Sequence, residues 1–253
     1  MQSEGGKTYA EWQFDNGERT IEFYLKRYTR DEMFKGKKVL DIGCGAGGKS
    51  LYYASDKVGA KYVCGIDITE EYAKESSELA GKLGLSEKFG FICGDAAKTE
   101  LPESSFDTIV MNDAMEHVNE PESVLKECMR LLVPGGRLYI NFPPYYHPFG
   151  AHLSDAIGIP WAHAFFSQKS LIKAYKKLVR DLPDGERRIK FRISQRDDGT
   201  EYLSYINKMT LKRFKKILKG LDMNAEYYKE ELFIRTPVLK EFFTRMAVCV
   251  ITK

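Results

Sequence analysis

The sequence predicts an α/β protein: a mostly parallel sheet with helices on both faces and an insertion after the fifth strand. Three observations predict it. Strand-like and helix-like runs alternate from residue 37 to 142, the pattern of successive βαβ units. The glycine-rich stretch VLDIGCGAGG (39–48) follows the first of these strands and opens a helix. After Phe142 the alternation stops, and it resumes only near residue 210.

Taken in order, residues 1–36 are expected to form an N-terminal helical cap. Five strands follow: KKVLDIG (37–43), KYVCGID (61–67), FGFIC (89–93), FDTIVM (106–111) and RLYINF (137–142). Thr69 is suited to cap the helix EEYAKESSELAGKLG, and Gly84 to end it in the left-handed conformation. Pro121 fits the first turn of ESVLKECMRLL, which Val133-Pro-Gly-Gly136 closes. Residues 143–208 are rich in Pro, Gly, His and aromatics at first, then form a basic amphipathic helix over 168–182. That helix has Leu171, Ile172, Tyr175, Leu178 and Val179 on one face. The polar stretch 183–208 is expected to be a mobile excursion, and the whole of 143–208 a substrate lid over the sheet's C-terminal edge. The helix TLKRFKKILKG and the strands NAEYYKEELF and MAVCVIT complete a single domain.

The chain has 253 residues, 43% hydrophobic and 30% charged, as in globular proteins. No apolar run approaches the ~18–20 residues of a membrane span, and no signal pattern opens the chain, so a cytoplasmic location is expected. Five cysteines without a C-x-x-C pair argue against a disulfide framework or a structural zinc site. The net charge of +3 is uneven: residues 1–163 carry −7 and residues 164–253 carry +10. Such a basic back half suits an anionic substrate, RNA or a membrane surface, or simply solvated helix faces.

The glycine loop lets backbone approach a ligand where a Cβ would collide. Gly43, Gly45 and Gly48 fit G-x-G-x-x-G, by itself a weak dinucleotide signal. Asp41, two residues before the first glycine, would face a pyrophosphate unfavourably and a cationic ligand favourably. Asp67, ending the second strand, is placed for both hydroxyls of a ribose. Asp95 and Ala96, ending the third, are placed for an adenine amino group. A cationic ligand with ribose and adenine is S-adenosylmethionine.

VLDIGCGAGG, GID, GDAA, FDTIVMNDAMEHV and LLVPGGRLYI resemble, in order and spacing, the motifs of class I S-adenosylmethionine-dependent methyltransferases. The resemblance covers residues 37–142 and, more weakly, the closing helix and strand. It implies a Rossmann-like, seven-stranded, mostly parallel sheet with an antiparallel last strand. It also implies cofactor contacts from Asp41, Gly43, Gly45, Asp67, Asp95, Ala96 and Asn112, with Cys44 and Ile68 as softer members.

MNDAMEHV (111–118) follows the fourth strand, where the resemblance places the reacting methyl group. If 113–117 form a helical turn, Asp113, Glu116 and His117 share one face. Glu116 or His117 would then act on an acceptor hydroxyl as base or positioner. Alternatively these groups, with His163 from PWAHAFF, hold a divalent metal. D-x-x-E-H is similar to the E-x-x-E-H-plus-histidine pattern of ubiquinone-pathway and small-RNA O-methyltransferases, but its first acid is Asp. A satisfied structural histidine is the third reading. His147 and His152, with Tyr145, Tyr146 and Phe149, either wall the acceptor pocket or pack as an aromatic loop.

The aromatic-rich insertion favours a small-molecule acceptor, methylated at a hydroxyl oxygen. No nucleic-acid module is legible. Peripheral membrane contact, an RNA or quinone-like acceptor with metal assistance, an NAD(P)-linked oxidoreductase and a non-catalytic cofactor-binding subunit stay open.

Overall fold

The computed structural model describes residues 6–234 and 239–253; the first five residues of the expected cap lie outside them. The cap is helical: α1 (Tyr9–Asp15), α2 (Gly17–Ile21) and α3 (Arg30–Phe34). Thr8 and Thr29 each open a capping box, paired reciprocally with Glu11 and Glu32, which satisfies otherwise orphaned amide N–H groups. The parallel unit follows as β1 (Lys38–Ile42), α4 (Gly48–Ala54), β2 (Tyr62–Asp67), α5 (Glu71–Lys82), β3 (Phe89–Cys93), β4 (Phe106–Asn112), α6 (Pro121–Leu131) and β5 (Leu132–Phe142). Then come α7 (Ala162–Phe165), α8 (Gln168–Val179), α9 (Gly185–Arg192) and the hairpin β6 (Ile193–Gln195) and β7 (Glu201–Leu203). The chain closes with α10 (Leu211–Gly220), β8 (Ala225–Leu232), α11 (Lys240–Phe243) and β9 (Thr244–Thr252).

Seven strands form one sheet in the order β3-β2-β1-β4-β5-β9-β8. Only β9 runs antiparallel to its neighbours, against β5 on one side and β8 on the other. The seven-stranded topology expected from the sequence is therefore present. Alternation along each strand divides two cores. Leu40, Ile42, Ile109, Met111 and Ile140 meet α6 and α10 on one face. Val39, Val63, Val110, Tyr139 and Val250 meet the cap, α4 and α5 on the other. A third, smaller core, including Leu153, Leu171, Ile172, Tyr175, Val179 and Leu203, belongs to the segment between β5 and α10.

Three local expectations need correction. Thr69 does not cap α5: its N–H donates to Asp67 Oδ1 at 3.0 Å, and the helix begins at Glu71. Residues 183–208, expected as a polar excursion, carry regular structure: α9 and the β6–β7 hairpin, with Ile193 and Leu203 in the third core. Leu178 leaves the buried face of α8 and is 55% exposed, while Leu171, Ile172, Tyr175 and Val179 are buried. Gly84 does take the left-handed conformation, at φ +68°. Of the cysteines, all free, only Cys93 is exposed.

Glu127 of α6 fastens the β3–β4 connection. It accepts from Thr99 N–H at 3.0 Å and from Arg130 Nη2 at 2.7 Å. The Arg130 guanidinium and the Thr99 donors pull its pKa down to about 2 from 4.5. A depressed carboxylate pKa stabilises the fold above the unfolded value, and that stability is lost as pH falls from about 4.5 through about 2. Glu127→Gln is expected to cost about 1–3 kcal/mol at pH 7, read by urea unfolding. The wild-type advantage should vanish in the acid window, and an unchanged difference at pH 2–3 would remove the assigned cause.

Candidate active site

The site is built at the C-terminal ends of β1, β2 and β4. After β1 the chain turns back through Gly43 and Gly45, both in the left-handed region at φ +69° and +57°. A Cβ on Gly43 would lie 2.7 Å from Ala114 Cβ, and one on Gly45 2.8 Å from Gln13 Nε2. Both positions therefore need glycine for conformation and for space. The loop is held from two sides. Gly45 N–H donates to Asp67 Oδ2 at 2.9 Å. Gln13 of α1 accepts from Gly48 N–H at 3.2 Å and donates to the Cys44 carbonyl at 3.3 Å. The cap thus lies over the loop, with Tyr9 against Tyr72 of α5 at 5.9 Å between ring centroids. Burial, then the Asp67 and Asp113 carboxylates, raise the Tyr9 pKa.

Asp67 is half-buried, and its two oxygens are oriented by Gly45 and Thr69. Ile68 beside it is 75% exposed. Asp95 is exposed and accepts from Ala97 N–H at 2.8 Å, with Ala96 buried beneath. Asp41 and Asn112 are placed differently from Asp67. Asp41 is 2% exposed and accepts from Ser50 Oγ at 2.6 Å. Burial raises its pKa to about 6, while the Ser50 bond and Lys49 oppose the rise. It forms the floor of the loop rather than its ligand face. Cys44, 1% exposed, turns its sulfur towards Gly65.

Asn112 is also turned inward. Its Oδ1 accepts from Tyr24 Oη at 2.8 Å and Asn141 Nδ2 at 2.7 Å, and its Nδ2 donates to Tyr53 Oη at 3.2 Å. The side chain ties the cap and α4 to the middle of the sheet. Asn112→Ala takes the acceptor from Tyr24 Oη, while Tyr53 Oη keeps Thr20 Oγ1 and Asn141 Nδ2 keeps the Thr20 carbonyl, at a cost of about 1–3 kcal/mol. Melting should fall by roughly 5–10 °C, and a melting curve within 1 °C of wild type would show the network to be dispensable.

The turn after β4 starts one residue later than the motif implies. Asp113 stands alone in the left-handed region at φ +51°. The turn itself runs from Ala114, whose carbonyl accepts from His117 and Val118 N–H. The three-residue face is therefore broken: Asp113 is exposed, with Lys49 Nζ 3.9 Å from its Oδ2. Glu116 points inward, 3% exposed, and neither of its oxygens has a hydrogen-bond partner. Burial first, then the Asp113 charge, pushes its pKa well above the usual carboxylate range.

His117 Nδ1 lies 2.7 Å from the Tyr205 carbonyl. A carbonyl only accepts, so Nδ1 carries the proton and Nε2 keeps its lone pair. Nε2 is 3.6 Å from Glu116 Oε1. Burial lowers the His117 pKa, which favours the neutral ring.

The histidine beside His117 is His152, with ring centroids 4.8 Å apart at 74°. His163 instead faces Tyr145 at 4.9 Å and Tyr146 at 6.5 Å, with its Nε2 buried and unpartnered. His147 Nδ1 accepts from Phe149 N–H, and its ring meets Phe233 at 5.3 Å. His152 reaches His117 because the chain turns there at φ +52° and Arg192 holds the His152 carbonyl at 3.1 Å. Tyr9, Gln13, Lys49 and Tyr205 are residues around the site that motif reading missed, whereas His152 was expected as a wall of the acceptor pocket and not as the neighbour of His117. Lys49 directly follows the glycine-rich stretch 39–48, and Tyr9, Gln13 and Tyr205 lie outside every motif quoted.

Residues 40–140 match the family model described as a methyltransferase domain. The match runs from β1 into β5 and leaves the cap, segment 143–208 and the closing strands outside it. The chain is 37% identical over 110 residues to a chloroplastic tocopherol O-methyltransferase of Arabidopsis thaliana, covering 44% of this chain and 31% of that protein. It is 39% identical over 101 residues to a sterol 24-C-methyltransferase of Gibberella zeae, covering 40% and 26%. The matches span less than a third of either relative's own length. A solved S-adenosylmethionine-dependent methyltransferase from Aquifex aeolicus shares the fold over 97% of this chain and 93% of that one. Its TM-score is 0.54 and its identity 18%. The residues present fit S-adenosylmethionine: Gly43 and Gly45 keep the loop free of side chains, and Asp67 offers a carboxylate already oriented by backbone donors.

Proposed function

We propose that the protein transfers a methyl group from S-adenosylmethionine to the hydroxyl oxygen of a small-molecule acceptor. Asp67 takes the ribose hydroxyls, Ile68 and Ala96 flank the adenine, Asp95 meets its amino group, and the Gly43–Gly45 turn receives the methionine part. Segment 143–208, which contributes His152 and the Tyr205 carbonyl beside His117, serves as the lid over the acceptor.

The reaction is an in-line displacement. An oxygen lone pair forms the new O–C bond as the C–S bond breaks, and the sulfonium becomes a neutral thioether. Charge is neutralised along this path, so alignment and exclusion of water supply most of the acceleration. A neutral hydroxyl is a weak nucleophile, and its proton must leave. The His117 Nε2 lone pair, fixed by the Nδ1–H bond to Tyr205, is the acceptor for that proton.

The observation that carries this reading is the buried pair of Glu116, without partners, and neutral His117 at the end of β4. The reading is tested by incubating the protein with methyl-labelled cofactor and a panel of phenols, catechols, amines and sterols. O-methylated product supports it. Label appearing only on nitrogen or carbon would overturn the oxygen assignment, and no transfer to any extract would overturn the activity.

A further inference from the structure

We infer that Glu116, His117 and His152 form a binding site for a first-row divalent cation, which pins segment 143–208 to the end of β4. The inference rests on the reading of the acceptor site given above and changes one role in it: with the ion bound, His117 Nε2 is a ligand, and lowering of the acceptor's pKa by the ion would replace proton transfer to Nε2. It stands on geometry. One ligand atom from each of the three residues lies within 4.8 Å of the other two. Both Glu116 oxygens are buried and lack any partner, a costly arrangement for a carboxyl unless something else binds it. The Tyr205 carbonyl fixes the His117 tautomer so that a bare Nε2 faces Glu116, as outer-shell carbonyls orient metal-bound imidazoles.

The donor chemistry selects the cation. Two imidazoles and one carboxylate suit Mn, Fe or Zn; Ca and Mg prefer oxygen. Ligand atoms around such an ion sit about 3 Å apart given bonds near 2.0–2.2 Å, so the three groups would draw in by about 1 Å. Three protein ligands leave positions open for an acceptor oxygen, where the ion would supply Lewis-acid lowering of its pKa. The ligands also come from two bodies: Glu116 and His117 from the sheet edge, His152 from the segment with its own core. A shared ion therefore links them. Two cations stand beside this cluster: Arg192, which donates to the His152 carbonyl at 3.1 Å, and Lys49, 3.9 Å from the Asp113 carboxylate.

The test uses the full chain stripped with a chelator, without cofactor or acceptor, so that it does not depend on methyl transfer. Mn²⁺ is titrated and free ion is read by electron paramagnetic resonance. Wild type should bind one ion and gain thermal stability. His152→Ala should weaken binding at least about 100-fold, more than loss of an outer-shell partner costs, and should lose the thermal gain. Glu116→Gln should do the same, while His163→Ala should bind as wild type. His152 is only half-buried, so its variant stays informative even if Glu116→Gln fails to fold. Absence of binding at millimolar Mn²⁺, or binding that survives His152→Ala, would overturn the site. Loss in His163→Ala with retention in His152→Ala would move it. Failure here with intact methyl transfer would leave the proposed function standing, and binding without methyl transfer would do the reverse.

Discussion

Asp67→Ala is expected to weaken S-adenosylmethionine binding by at least about 100-fold. Each hydrogen bond from a ribose hydroxyl to the carboxylate is worth about 1.5–3 kcal/mol, and every 1.4 kcal/mol is a factor of ten. The side chain also holds Gly45 N–H at 2.9 Å and Thr69 N–H at 3.0 Å, so its removal loosens the loop that receives the methionine part. Titration calorimetry with S-adenosylmethionine and its demethylated product gives the measurement, with circular dichroism as the check on folding. Ser50→Ala should have the smaller effect on affinity, because Ser50 reaches Asp41 under the loop and not the ligand face. A Kd for Asp67→Ala within threefold of wild type would remove the anchor on which the cofactor assignment rests.

His117→Ala should lower kcat by about 10²–10³, within the range assigned to a positioned acid–base group, and leave cofactor affinity unchanged. Size is only part of the expectation. If Nε2 takes the acceptor's proton, the loss should shrink for acidic phenols, which ionise unaided, and grow for alkyl alcohols. A constant loss across acceptors of different acidity would mean that His117 only packs against Tyr205, whose ring lies 4.1 Å away. A KM increase with unchanged kcat would point the same way.

Much of the scaffold was legible because its signals are local. Strand alternation, the glycines needing positive φ, and the Gly84 helix end all follow from a few neighbouring residues. The glycine loop and Asp67 were legible for the same reason: β1 and β2 pair in parallel register, Asp41 opposite Gly65 and Ile42 opposite Ile66, which brings both strand ends to one edge. The turn beyond β4 was less legible. A helical face over 113–117 failed because Asp113 N–H bonds to Asn141 O at 3.0 Å, taking the residue out of the turn. Nothing near MNDAMEHV signals that bond. His163 seemed the partner by its place in a motif, whereas contact goes to His152, which the left-handed turn and Arg192 aim at His117.

The sequence by itself determined the seven-stranded α/β plan, the glycine turn beyond β1 and the carboxylate that ends β2, since backbone conformation and apolar period are written in short stretches. Only the tertiary structure decided that Asp41 and Asn112 face inward and that Glu116 is buried without a partner. It also decided that His152 completes the cluster and that α1 covers the loop. Those outcomes depend on which distant segments meet, and burial, hydrogen bonding and pKa are properties of that meeting rather than of any residue alone.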